Sequence, residues 1–284
     1  MKENTLNPAR KLFFGLFVFP LLIAVGMAFL LCSVVLLTNE KETPESLIGD
    51  IKSGSPSKRW QKAFELSNEL NQTRYRGVQN PAVLKEIIFI LKDTVHYDPK
   101  TRSYMAMALS HFDRADAAPA LIRALKEKEA PQDVLIAAMW SLGSLGWRES
   151  SADIEKFLLS DLPELRKMSV YILGVLTDKN SAEKIRPLLN DPVSDVRWNA
   201  ALTLARLGDD SGFEVLRNMV TRPQFSTLGM QEAQIEAVMI NAIKGLALIQ
   251  KPESIKILRS LSQDDKNLKV RQAAIDAMNY REKS

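Results

Sequence analysis

The chain has 284 residues, 46% of them hydrophobic and 25% charged, enough apolar side chain to build a core and too much for extensive disorder. Its net charge is +4, half of it from Lys2, Arg10 and Lys11 against Glu3, and no long Lys/Arg run follows, so nucleic acid is not an expected partner. A lone cysteine, Cys32, excludes an intramolecular disulfide and a cysteine metal site; with His96 and His111 the only histidines, no metal or cofactor set is expected.

The first element predicted is a membrane helix. Residues 12–38 carry no charge, and as a helix they would be about 40 Å long, enough to cross a bilayer core of about 30 Å with tilt. A cleaved leader would have a shorter apolar core and a small-residue site at its end, and this run has neither. Leu31 rather than a small residue precedes Cys32, against a lipid-modified cysteine. Lys2, Arg10 and Lys11 stand before the run, whereas acidic residues dominate after it (Glu40, Glu42, Glu45), so the positive-inside rule puts residues 1–11 in the cytoplasm. The part after a linker at residues 39–45 would then lie across the membrane, in the periplasm of a two-membrane host.

From residue 46 to 284 the sequence repeats a short amphipathic helix, a turn rich in Asp and Pro, and a longer apolar helix. In chain order the pairs are ESLIGDIKSG with SKRWQKAFELSNEL, PAVLKEIIFILKDTV with PKTRSYMAMALSHF, and AAPALIRALKEKEA with DVLIAAMWSLGSLG. SADIEKFLLS then precedes DLPELRKMSVYILGVL, and SAEKIRPLLN precedes DPVSDVRWNAALTLARLGD. The sixth, GFEVLRNMV with QEAQIEAVMINAIKGLALI, is interrupted by a long connection at residues 221–230, and PESIKILRSLSQDD with NLKVRQAAIDAMNY is the seventh. Second helices are predicted near 58–71, 100–111, 131–145, 163–176, 194–207, 231–248 and 267–280. Between 134 and 204 the register is strict: Val134, Leu165 and Val196 are 31 residues apart, as are Leu142, Leu173 and Leu204. Ser151, Ser181 and Ser211 are expected to cap the first helices.

Asp191-Pro192, Asp195-Val196-Arg197, Ala200-Ala201-Leu202 and Leu207-Gly208-Asp209 resemble the signature of HEAT repeats, especially the short bacterial variety named after phycobilisome lyases. The pattern recurs from Asp265 through Val270-Arg271, Ala273-Ala274 and Ala277, and partially at Leu165-Arg166 and Thr101-Arg102. The resemblance implies an all-α, right-handed α-solenoid of about seven HEAT-like helix pairs, here preceded by one N-terminal transmembrane helix. It also implies a docking or scaffolding role, with bilin lyases and DNA-handling proteins as rarer members.

No catalytic constellation is present in the sequence: no phosphate-binding glycine loop follows a strand, and no serine nucleophile elbow occurs. The expected partner is a protein, membrane-associated like the chain itself. Arg102, Arg166, Arg197 and Arg271 recur near the starts of second helices, either pairing with Asp161, Asp191, Asp195 or Asp265 of their own or adjacent repeats, or forming a basic ladder for an acidic partner. Trp147 and Trp198 are candidates for a partner surface or for ordinary packing, whereas Trp140 is expected in the core. In the 221–230 connection, Arg222, Gln224 and Phe225 are the candidates, since loops on a rigid scaffold often carry recognition residues. The alternative to a scaffold is a lyase-like or chaperone-like protein that handles a bound cofactor or substrate.

Overall fold

The computed structural model describes residues 13–38, 43–71, 80–226 and 229–283, and every regular element among them is helical. The expected cytoplasmic segment 1–11, most of the linker and the side chain of Gln224 lie outside the described residues.

Helix α1, Phe19–Thr38, is entered through a π-helical turn at Phe14–Val18. Its 19-residue stretch Gly15–Ser33 is long and apolar enough to cross a membrane, at about 28 Å. From residue 19 to residue 32 its side chains are exposed all round, as in Phe19, Leu22 and Phe29, so this described stretch has no buried stripe of the kind that seats a surface helix on a soluble core.

Residues 47–284 form a separate unit. Its pairs are α2 (Pro44–Ser53) with α3 (Pro56–Asn71), α4 (Pro81–Lys92) with α5 (Pro99–Ala108), and α6 (Arg114–Leu125) with α7 (Gln132–Leu145). Next come α8 (Ser151–Glu155) with α9 (Pro163–Val175) and α10 (Ala182–Ile185) with α11 (Ser194–Arg206). In the sixth pair, α12 (Phe213–Met219) is followed by a one-turn α13 (Pro223–Ser226) and then by α14 (Glu232–Leu248); α15 (Pro252–Asp264) and α16 (Leu268–Lys283) make the seventh. The connection predicted as a loop at 221–230 therefore contains a helical turn. Because α2 opens at Pro44, the end of the expected linker is already helical.

Each second helix packs on the second helix of the next pair, from α3 on α5 through to α14 on α16, as stacked hairpins require when neither can bury its apolar face alone. Close approach depends on small residues. A Cβ on Gly143 would sit 2.8 Å from Ile172 Cδ1, and one on Gly174 2.9 Å from Thr203, so in both cases glycine admits the next repeat. The core runs as two clusters that meet in α11, where Ala200 belongs to the first and Ala201 to the second.

Aspartates build three of the turns between paired helices. Asp98 Oδ1 accepts from the Thr101 amide at 3.0 Å ahead of Pro99, and Asp191 and Asp265 accept from the amides of Val193 and Asn267 at 2.9 and 2.8 Å. The serines expected as caps do not cap. The first helices of the fourth to sixth pairs open with a 3₁₀ turn, which moves the cap upstream: Asp178 receives the Asn180 amide and Asp209 the Ser211 amide. Ser181 Oγ instead donates to Glu155 Oε1 at 2.7 Å. A second 31-residue beat closes the second helices, with Gly146, Thr177 and Gly208 all in the left-handed region at φ +64°, +52° and +83°.

Candidate functional site

The recurring arginines are structural first. Arg102 is 2% exposed; its Nε donates to Leu91 O at 2.8 Å, and its guanidinium grips both oxygens of Glu127, 25 residues on in the next repeat. Glu127 was not among the carboxylates anticipated. Arg166 repeats the geometry with an expected partner: Nε and Nη2 donate to the Asp191 carboxylate at 2.7 and 2.9 Å, again 25 residues on, while Nη1 donates to Ser160 O. The Arg166 guanidinium, with the Val193 amide, holds the Asp191 carboxyl below its ordinary range against the opposing effect of burial, and the Arg166 pKa is raised in return. Arg197 and Arg271 keep only the local half of the motif: each Nη1 donates to the carbonyl six residues back, Asp191 O at 2.6 Å and Asp265 O at 2.8 Å.

Arg222 explains the difference at Arg197. It stands 25 residues after Arg197, where the next repeat's carboxylate belongs, and itself donates to Asp265 across 43 residues at 3.0 and 2.6 Å and to Glu232 at 2.8 Å. Burial pushes the Asp265 carboxyl up, but Arg222 and the Asn267 amide outweigh it and the net direction is down. Arg222 thus pins the interrupted connection to the seventh pair. Phe225, a candidate contact on sequence grounds, is 1% exposed, and its ring meets Trp198 edge-on with centroids 6.4 Å apart. Trp147 is half-buried against the first core cluster.

The second helices carry a feature that the sequence reading missed. Trp140 is 39% exposed rather than core, because it lies two residues, about 200° of helix, from both Ala138 and Leu142 on the buried face. Tyr171 occupies the same position one repeat on and is likewise exposed, and Phe64 and Tyr104 meet edge-on at 5.4 Å on α3 and α5. Between α9, α11 and α14 this face opens into a hollow of about 470 Å³. Tyr171, Trp198, Met168, Leu202 and Met230 supply its apolar lining, and Lys167, Asp195, Asn199, Gln234 and Asn241 its polar groups. Lys167 and Asp195, both in its lining, form an ion pair at 3.5 Å. The 31-residue spacing of Trp140 and Tyr171 was the available signal. The hollow also needs Met230 and α14, which no period brings there.

The model for HEAT repeats matches residues 84–162 and 152–228, together just over half of the chain. The chain belongs to the HEAT repeat family. Among solved structures, this HEAT protein is similar to the complex of CpcE and CpcF of phycocyanin lyase from Nostoc sp. PCC7120, at 20% identity and a TM-score of 0.54 over 86% of this chain and 96% of that one. The Escherichia coli protein YibA aligns at 12% identity and a TM-score of 0.54, covering 84% and 93% of the two chains. An engineered protein aligns at 15% and 0.52, covering 84% and 68%. At these identities the likeness is one of fold. No curated protein matches the chain in sequence.

Proposed function

We propose that this HEAT protein is a membrane-tethered, non-enzymatic scaffold or accessory subunit of a cell-envelope complex. Residues 12–38 span the inner membrane, residues 1–11 lie in the cytoplasm, and the repeats, after the 39–45 linker, dock a membrane-associated protein on the periplasmic side. The observation that carries the docking reading is the second-helix hollow, an apolar aromatic surface set among mixed polar groups, which is the composition of a binding hot spot. Tethering raises the effective concentration for partners in the same membrane.

Crosslinking in intact cells followed by mass spectrometry tests partner and membrane side together. Tyr171→Glu and Trp198→Glu should each abolish the crosslinks that map to α9, α11 and α14. A membrane-impermeant maleimide should label Lys179→Cys in cells whose outer membrane is permeabilised. Labelling only after the inner membrane is lysed would overturn the topology.

A hollow of this size also suits a small molecule, and a lyase-like or chaperone-like protein that holds a bound cofactor or substrate is the second reading. Native mass spectrometry of the full chain in mild detergent separates the two. A stoichiometric small-molecule adduct lost in Trp198→Glu would favour the second.

A further inference from the structure

The second-helix face is patterned beyond the hollow itself. The residue just before each buried Val or Leu of the 31-residue register is Asp133 in α7, Glu164 in α9 and Asp195 in α11, and all three are exposed. Two helical turns on, about 10 Å along the same side of each helix, stand Trp140, Tyr171 and Leu202. Asp195, Tyr171 and Leu202 line the hollow, which fixes the side on which both rows lie. Helices α7, α9 and α11 pack in succession, and packed helix axes lie about 8–10 Å apart. The face therefore carries an acidic row and an apolar row in parallel, each stepping by about 10 Å from helix to helix.

The pattern is confined to these helices. The equivalent positions are Gln234 and Asn241 in α14, and Lys269 and Asp276 in α16, so both rows end together toward the C-terminus. On the other side, Lys100 of α5 ends the acidic row. An acid in a first turn is favoured by the helix dipole, but that holds equally for α5, α14 and α16, which put none at this position. The carboxylates are also unmatched. Between paired helices, Glu127, Asp191 and Asp265 each hold an arginine. By contrast, the side chains of Asp133 and Glu164 make no salt bridge or hydrogen bond among the described residues. The Asp195 carboxylate meets only Lys167, the one cation of the hollow's lining.

We infer that the face of α7, α9 and α11 takes an amphipathic helix of another protein, with Lys or Arg at every seventh position along the acidic row and its apolar stripe over Trp140, Tyr171 and Leu202. A helix advances about 10 Å in seven residues and is about 10–12 Å wide, so it keeps step with both rows. Side chains on one side of an extended segment recur at about 7 Å and fall out of step. A second copy of this chain does not supply such a helix: among its described helices α4 comes nearest, with only Lys85 and Lys92 seven residues apart. This partner chemistry rests on the docking reading of the hollow.

Val175, exposed one turn beyond Tyr171, is the position from which to trap the partner. With p-benzoylphenylalanine at 175 in the full-length chain, irradiation of native cells should join it to a helix of a different protein that carries Lys or Arg seven residues apart. The adduct should fall about tenfold when Asp133→Lys and Glu164→Lys are combined, persist when Asp133→Glu and Glu164→Asp are combined, and be lost in Trp198→Glu. Loss in Trp198→Glu without loss in the charge-reversed variant would overturn the basic helix and leave the docking reading standing. An adduct indifferent to both changes, one only to lipid or to this chain, or none at all would overturn both.

A peptide probe needs no knowledge of the partner. A labelled helix of three heptads, each with two Leu on one face and a Lys on its flank, should bind the full-length chain in phosphatidylcholine nanodiscs about tenfold more tightly than its twin with Glu for Lys, with empty nanodiscs as the reference. The preference should invert when Asp133→Lys and Glu164→Lys are combined, which also reports that this variant is folded. Equal binding of the twins, a preference that the charge-reversed variant leaves unchanged, or undiminished binding of a peptide broken by a central proline would overturn the basic helix.

Discussion

The regular stretch 151–208 and the irregular stretch 209–283 solve the same problem with different residues. In the first, Arg166 reaches Asp191 exactly one step along a strict period, and the neighbouring turns superimpose in sequence. In the second, the column of second-helix arginines is broken by Glu236, which pairs with Lys269 at 2.9 Å, so the charges are reversed. The guanidinium for Asp265 comes instead from Arg222 in the interrupted connection. What the fold preserves at Glu127, Asp191 and Asp265 is a satisfied carboxylate between the helices of a pair, because a buried charge left alone is costly, whichever residue supplies the counter-charge.

The largest expected effect comes from breaking the most buried member of the ladder. Arg102→Ala strands Glu127 and the Leu91 carbonyl, and should lower unfolding free energy by about 3–5 kcal/mol in urea titration. Arg222→Ala should cost about 2–3 kcal/mol, because Asp265 is left buried without a counter-charge, and should open the 221–230 connection to limited proteolysis. Lys269→Ala, whose ammonium is well exposed, should cost less than about 1 kcal/mol. Equal losses from Arg222→Ala and Lys269→Ala would erase the distinction between buried and exposed versions of the contact.

Acid titration sharpens the same comparison. The Asp191 and Asp265 carboxyls are held below their unfolded values, so each stabilises the fold fully above a pH of about 4 and loses that contribution as pH falls through its lower folded value. Asp191→Asn should reduce stability at neutral pH and flatten the acid limb measured by circular dichroism. The smallest effect is expected at Thr177, a β-branched residue in the left-handed position that glycine fills at 146 and 208. Thr177→Gly should change stability by no more than about 1 kcal/mol, relief of strain being offset by chain entropy and by loss of the Arg148 bond to Thr177 Oγ1 at 2.7 Å.

The helix pairs, their 31-residue register and the apolar N-terminal helix were legible from the sequence, because helical periodicity and Asp-Pro turns are local and recur. Val134, Leu165 and Val196 had to be buried once the period was seen, and so they are. The same period failed at residues 221–230, where Phe225 turned inward and Arg222 spanned 43 residues to Asp265. The period puts Trp140 in one column with Tyr171, but an apolar residue in an apolar helix shows its side only once the helix is rotated against its neighbours.

By itself the sequence determined that the chain would be helical, repetitive and preceded by a helix able to cross a membrane, since composition and spacing along one strand of chain suffice for that. Only the tertiary structure decided which arginine meets which carboxylate and where the second helices open into a hollow. Those depend on side chains far apart in sequence arriving at one place, and no local pattern encodes the distances between stacked hairpins.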